Sequence, residues 1–154
     1  MKRAGFSLIE VSIAIFILAM VIAVSVPAFV RSYNDMLLRE TARTFATTCQ
    51  YGRIEAVQRQ TNTVLHVSLD QQRFWLAGGG ETVLKNCELT RRVSIVAAEL
   101  TDDPGKGARE IEIAFYPNGT CDSASVVFRG TDKATLAATV DPITCKAVAY
   151  PVKP

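Results

Sequence analysis

The chain has 154 residues, 49% of them hydrophobic, with 17 Lys and Arg against 15 Asp and Glu. Lys2 and Arg3 supply the whole excess, leaving 15 basic and 15 acidic side chains in the remainder. That balance argues against nucleic acid as the main partner, which would need clustered surplus cations, and the length allows one modest domain beside an N-terminal segment.

From Val11 to Val30 there is no Asp, Glu, Lys or Arg. A helix of that length crosses the hydrocarbon core of a bilayer. Its Val, Ile, Leu and Phe residues each favour insertion by about 0.3–0.6 kcal/mol. Lys2 and Arg3 precede the run, which keeps the N-terminus cytoplasmic and sends the remainder across. Glu10 stands at the mouth of the run. A carboxylate costs roughly 2.5–3.5 kcal/mol at the bilayer centre and less near an end, so insertion still wins. An ordinary secretory signal, with "AVS" at 23–25 before the cut, would use the same features, as would a plain anchor. Both leave Glu10 without a purpose.

Beyond Val30, Leu38, Ala42, Phe45, Cys49, Gly52 and Ala56 recur at alternating steps of four and three, with Arg39, Glu40, Arg43 and Arg53 mostly outside that stripe. The pattern predicts one helix from about residue 6 to 60, first apolar all round and then amphipathic. Gly52 inside it costs about 1 kcal/mol relative to Ala and implies close packing.

From Asn62 the chain changes to short runs rich in Val, Ile, Thr and aromatics. A hairpin is expected over 63–69 and 73–77 with its turn at Asp70-Gln71-Gln72, and further strands near 82–85, 92–98, 110–116, 125–129, 134–140 and 146–151. The fold class is therefore α+β: a long N-terminal helix packed on an antiparallel β-sheet head. The turn-rich "DDPGKG" at 102–107 lacks the spacing of a phosphate-binding loop. His66 falls on a strand face, and nothing supplies the third group that a Cys–His nucleophile needs.

Cys49, Cys87, Cys121 and Cys145 are even in number and follow an export signal, which permits disulfides. They contain no C-x-x-C and share the chain with one histidine, so a metal site is poorly supported. If the last three strands run up and down in order, the turns near Cys121 and Cys145 lie at one end of the sheet. A Cys121–Cys145 bridge is then expected, worth roughly 3 kcal/mol in the chain-entropy model, with Cys49–Cys87 as a second pairing. Buried free thiols are the other reading, above all for Cys49 on the helix stripe.

The segment Met1-Lys2-Arg3-Ala4-Gly5, then Phe6-Ser7-Leu8-Ile9-Glu10, resembles the N-terminus of type IV pilins and of the pseudopilins of type II secretion. The resemblance implies a leader over 1–5 cut between Gly5 and Phe6 by a prepilin peptidase, N-methylation of Phe6, an assembly helix over 6–30 and a periplasmic head over 31–154. It also gives Glu10 a role: neutralising the Phe6 amine of a neighbouring subunit, since two charges in low dielectric become tolerable when paired. Pro27 is a second family feature, a weak point where the missing hydrogen bond permits local melting. "GRIEAVQRQTNTVLHV", with Arg-x-Glu-Ala, and "IEIAFYPNGTCDSASVVF", with Phe-x-Pro-x-Gly, resemble the H-type minor pseudopilins. "VDPITCKAVAY" sits where these carry a last hairpin, with Cys145-Lys146 in place of the usual Gly-Arg turn.

The function so implied is that of a minor pseudopilin: a structural subunit, not an enzyme, of a periplasmic fibre supporting export. Its partners would be other pseudopilins or pilins met through the helix, the peptidase and an inner-membrane assembly platform. It implies no cofactor. The alternative is a minor type IV pilin, including the class that binds DNA during uptake, but only Lys146 and Lys153 lie near the last hairpin. A secreted hydrolase or periplasmic binding module would show a catalytic set, and none is evident.

Overall fold

The structure is a computed structural model that describes residues 8–79, 82–101 and 109–152. One helix, α1 (Leu8–Arg59), is followed by eight strands: β1 (Thr63–Ser68), β2 (Arg73–Ala77), β3 (Val83–Glu88), β4 (Val93–Leu100), β5 (Glu110–Phe115), β6 (Ala124–Gly130), β7 (Thr135–Val140) and β8 (Ala147–Val152). The expected helix and all eight expected strands are present, with ends shifted by a few residues. The "DDPGKG" loop lies outside the described residues.

The chain divides into two compact units at Tyr33/Asn34. In the first, α1 is long and apolar enough to cross a membrane. Its large side chains are exposed throughout, and it stays helical through Pro27.

The second unit begins with Asn34, which is buried, as are Leu38, Ala42, Phe45, Thr48, Cys49, Gly52, Glu55 and Ala56. This is the stripe that the four-and-three spacing predicts. Phe45 is fully buried and meets Phe74 of β2 and Phe128 of β6 edge-on, at centroid distances of 5.6 and 5.7 Å. Those partners belong to different sheets, β3-β2-β1-β5 and β4-β6-β7-β8, so one ring joins both to the helix. The head is thus two four-stranded antiparallel sheets where the sequence suggests one. The split arises because β5 returns past β4 to pair with β1, from Thr63↔Phe115 to Ser68↔Glu110.

Gly52 shows why a side chain is absent at that point of α1. A Cβ there would stand 2.9 Å from Leu76 and 3.0 Å from Phe115, and its carbonyl accepts a hydrogen bond from Thr63 Oγ1 at 2.8 Å. The helix ends with Gln60 in the left-handed region (φ 54°) and Thr61 N–H donating to Ala56 O at 3.3 Å, a Schellman-type close made without glycine. The two sheets are also tied by Gln72, whose side chain accepts from Ile95 N–H at 2.7 Å and donates to Ile95 O at 3.1 Å. That bond sits at the irregularity of β4 between Ile95 and Ala97, where an extra residue would leave these backbone groups unpaired.

Candidate assembly site

Of the residues expected to carry processing and assembly, Gly5 and Phe6 lie outside the described residues. Glu10 lies in the first turn of α1, exposed, and makes no ion pair among the described residues. Around it Leu8, Ile9, Ile13 and Phe16 are all more than half exposed. Water would not favour such a surface, which is suited to lipid or to the helices of other subunits. Pro27 has no N–H to donate to Ala23, so the helix is one hydrogen bond short there.

At the other end of the chain, two sequence elements some sixty residues apart meet. Arg53 of Arg-x-Glu-Ala projects from α1 to the turn after β5. Its Nε donates to Gly119 O at 3.0 Å and its Nη1 to Thr144 O at 3.4 Å. Gly119 closes Phe-x-Pro-x-Gly with φ 84°, a conformation that a side chain would strain. Phe115, which opens that element, is fully buried against Gly52. The Glu55 pKa is lowered, first by a hydrogen bond from Tyr51 and then by Arg59. Ala56 belongs to the core.

Gln50, one helical turn before Arg53, donates to Cys145 O at 2.6 Å. The last loop is further held by Asp141, whose Oδ1 accepts from Ile143 N, Thr144 N and Thr144 Oγ1 at 3.0, 2.7 and 2.9 Å. These bonds, chiefly those from Thr144, lower the Asp141 pKa. Gln50, Arg53 and Asp141 thus close a corner that composition and spacing did not reveal as a unit. Only Arg53 had a signal, through its place in the Arg-x-Glu-Ala element.

Three cysteines meet in this corner. Cys121 N–H donates to Pro142 O at 2.9 Å, and its thiol lies 3.5 Å from Asp141 O. The Cys145 thiol lies 3.5 Å from Gly119 O. The Cys121 and Cys145 thiols lie close enough to influence each other's ionisation, as do those of Cys49 and Cys145. All four cysteines are free thiols. Burial, first among the causes, pushes the pKa values of Cys49, Cys121 and Cys145 up. The Cys49–Cys87 pairing is not what the fold brings together. Cys87 lines a groove with Leu37, Glu40, Thr41, Thr44 and Phe74, and the α1 residues of that groove precede Cys49 by more than a turn.

His66 is on the strand face expected for it. It stacks on Trp75 at 4.9 Å, and its Nδ1 is 3.4 Å from Glu112 and 3.9 Å from Glu110. No cysteine completes a nucleophilic pair with it.

An apolar exposed helix joined to a helix-centred two-sheet head defines a pilin-like protein. Residues 1–26 match the prokaryotic N-terminal methylation motif, and residues 41–143 match the family described as type II transport protein GspH. The second match spans well over half of the chain, which belongs to that family. The fold is similar to the minor pseudopilin EpsH from the type 2 secretion system of Vibrio cholerae, with 10% identity, a TM-score of 0.55, and coverage of 76% of this chain and 97% of that one. It is similar also to the type IV minor pilin FimU of Pseudomonas aeruginosa, with 13% identity, a TM-score of 0.52, and coverage of 75% and 88%. No curated protein sequence matches the chain.

Proposed function

We propose that the chain is a minor pseudopilin of a type II secretion-like system, a structural subunit of a periplasmic fibre that supports protein export. The observation that carries this is the joint presence of the methylation motif and the GspH domain in one chain. In this reading the chain is held in the inner membrane by the apolar half of α1, with its head in the periplasm. A prepilin peptidase cuts between Gly5 and Phe6, Phe6 is N-methylated, and Glu10 meets the new amine of a neighbouring subunit. The other pseudopilins and the inner-membrane assembly platform are its partners. The likeness to FimU supports the second reading, a minor type IV pilin.

The test is mass spectrometry of protein extracted from membranes, with N-methyl-Phe6 expected as the first residue. A start at Met1 or Val26 would remove the processing step. Loss of export on deletion, with pilus formation intact, separates the secretion role from the pilus role.

Within the head, Cys121 and Cys145 are proposed to form a disulfide on export. The two thiols would give up two protons and two electrons to a disulfide-donating oxidant, itself reduced to two thiols. Their adjacency supports this pairing. Non-reducing peptide mapping tests it, and a Cys121 peptide joined to Cys49 or Cys87 would contradict it.

A further inference from the structure

The charge balance of the sequence conceals a local excess. Arg91 and Arg92, in the turn before β4, lie beside Arg129 and Lys133 at the turn between β6 and β7. Thr131 Oγ1 donates to Arg92 O at 3.0 Å, and Ser94 pairs with Arg129 across the strands. All four cationic side chains are exposed, and Arg91, Arg129 and Lys133 form no ion pair among the described residues. The nearby acids in sequence are three: Glu88, exposed and three residues before Arg91, Asp132, whose carboxylate is turned to Ala134 N at 3.4 Å, and Asp35 on α1. The cations outnumber them.

The patch has a fixed address on the chain. Arg92 Nη1 donates to Asn34 Oδ1 at 3.1 Å, and Asn34 is the first residue of the head unit. Only three residues separate it from Val30, the last of the uncharged run. Even a fully extended link of that length spans no more than about 14 Å, on the order of one Debye length at moderate salt. If the apolar helix leaves a bilayer at Val30, Asn34 and the Arg92 guanidinium bonded to it lie within that reach of its surface.

We propose that the paired turns are a lipid-contact surface that takes the phosphates of anionic phospholipids and rests the head on the bilayer before the subunit is drawn into a fibre. The proposal depends on the reading that the helix up to Val30 spans a membrane. The full chain should be placed in nanodiscs of phosphatidylcholine with or without phosphatidylglycerol, and amide hydrogen exchange followed in residues 89–93 and 129–134. A basic side chain beside an anionic leaflet favours contact by about fivefold. Exchange should therefore slow by at least that factor when phosphatidylglycerol is present, and the protection should vanish in high salt. It should also vanish in the variant Arg91→Gln/Arg129→Gln/Lys133→Asn, in which Asn tolerates the positive φ of residue 133.

Equal exchange in both discs would overturn the proposal and leave the span intact, whereas failure to enter discs at all would remove both. Equal protection by inorganic phosphate in phosphatidylcholine discs would make this a site for soluble anions. Stronger protection by a DNA duplex would make it a nucleic-acid surface. Either result also overturns the lipid assignment.

Discussion

Up to Tyr33, α1 leaves its large apolar side chains in the open, with Leu8, Phe16 and Phe29 exposed by 86%, 72% and 74%. From Leu38 onward the same helix hides Phe45 and Cys49 completely. Both halves contain apolar residues, so hydrophobicity alone does not distinguish them. In the first half these residues occur all round the helix and stay exposed; in the second they form one stripe with two sheets to cover it. The first half is built to be completed by something outside the chain, and the second by the chain itself. Changes in the first should therefore alter processing and assembly while sparing stability, and changes in the second should do the reverse.

The largest effect is expected at the leader. Gly5→Leu should abolish the proposed cleavage, on the expectation that a longer side chain does not fit where glycine does; intact-mass measurement of the membrane fraction reads it, and the head should melt as before. Glu10→Val should leave membrane insertion unchanged or improved while the subunit disappears from fibres recovered by shearing. Normal incorporation would show that amine pairing does not hold the subunit in place.

In the head, Phe45→Ala should cost about 3–5 kcal/mol in denaturant unfolding, since the ring fills the space between Phe74 and Phe128. Processing at Gly5 should be unaffected. Arg53→Ala should cost less, roughly 1.5–3 kcal/mol for hydrogen bonds from a charged donor, with faster amide exchange confined to residues 116–121 and 141–146.

The smallest effect concerns acid. Asp141 has its pKa lowered by the bonds from Thr144 and Ile143. Its contribution is therefore fully present above the unfolded carboxylate range, near pH 4, and fades as pH falls through the lower folded value. NMR shifts of Ile143 and Thr144 should follow that titration, and Asp141→Asn should remove it.

The order of elements was legible because it depends on local repeats. The four-and-three spacing from Leu38 to Ala56 can form only one buried face, and alternation marked the strands. The N-terminal motif was legible for a different reason: it is one contiguous string, and residues 1–26 match the methylation motif as such. The second sheet was hidden because β5 pairs with β1 across three intervening strands, which no local pattern encodes. The corner was hidden likewise. Gln50 and Arg53 bond to carbonyls that lie 66 to 95 positions away along the chain, and a carbonyl carries no residue signature. The Cys121–Cys145 adjacency could be expected from the up-and-down order of β6, β7 and β8. The place of Cys49 beside them could not, because it depends on which turn of α1 faces the last loop.

The three sheltered thiols give the corner a memory. A thiolate is the species that attacks a disulfide, and here burial keeps Cys49, Cys121 and Cys145 protonated. Burial and the raised pKa both disfavour the attacking thiolate, so the bridge proposed between Cys121 and Cys145 would form more readily before the loop packs over them. A head that packs this corner before it meets an oxidant would therefore keep its thiols longer than one that is oxidised while still open. Within a single fibre, the redox state of each subunit would then date its folding relative to its export.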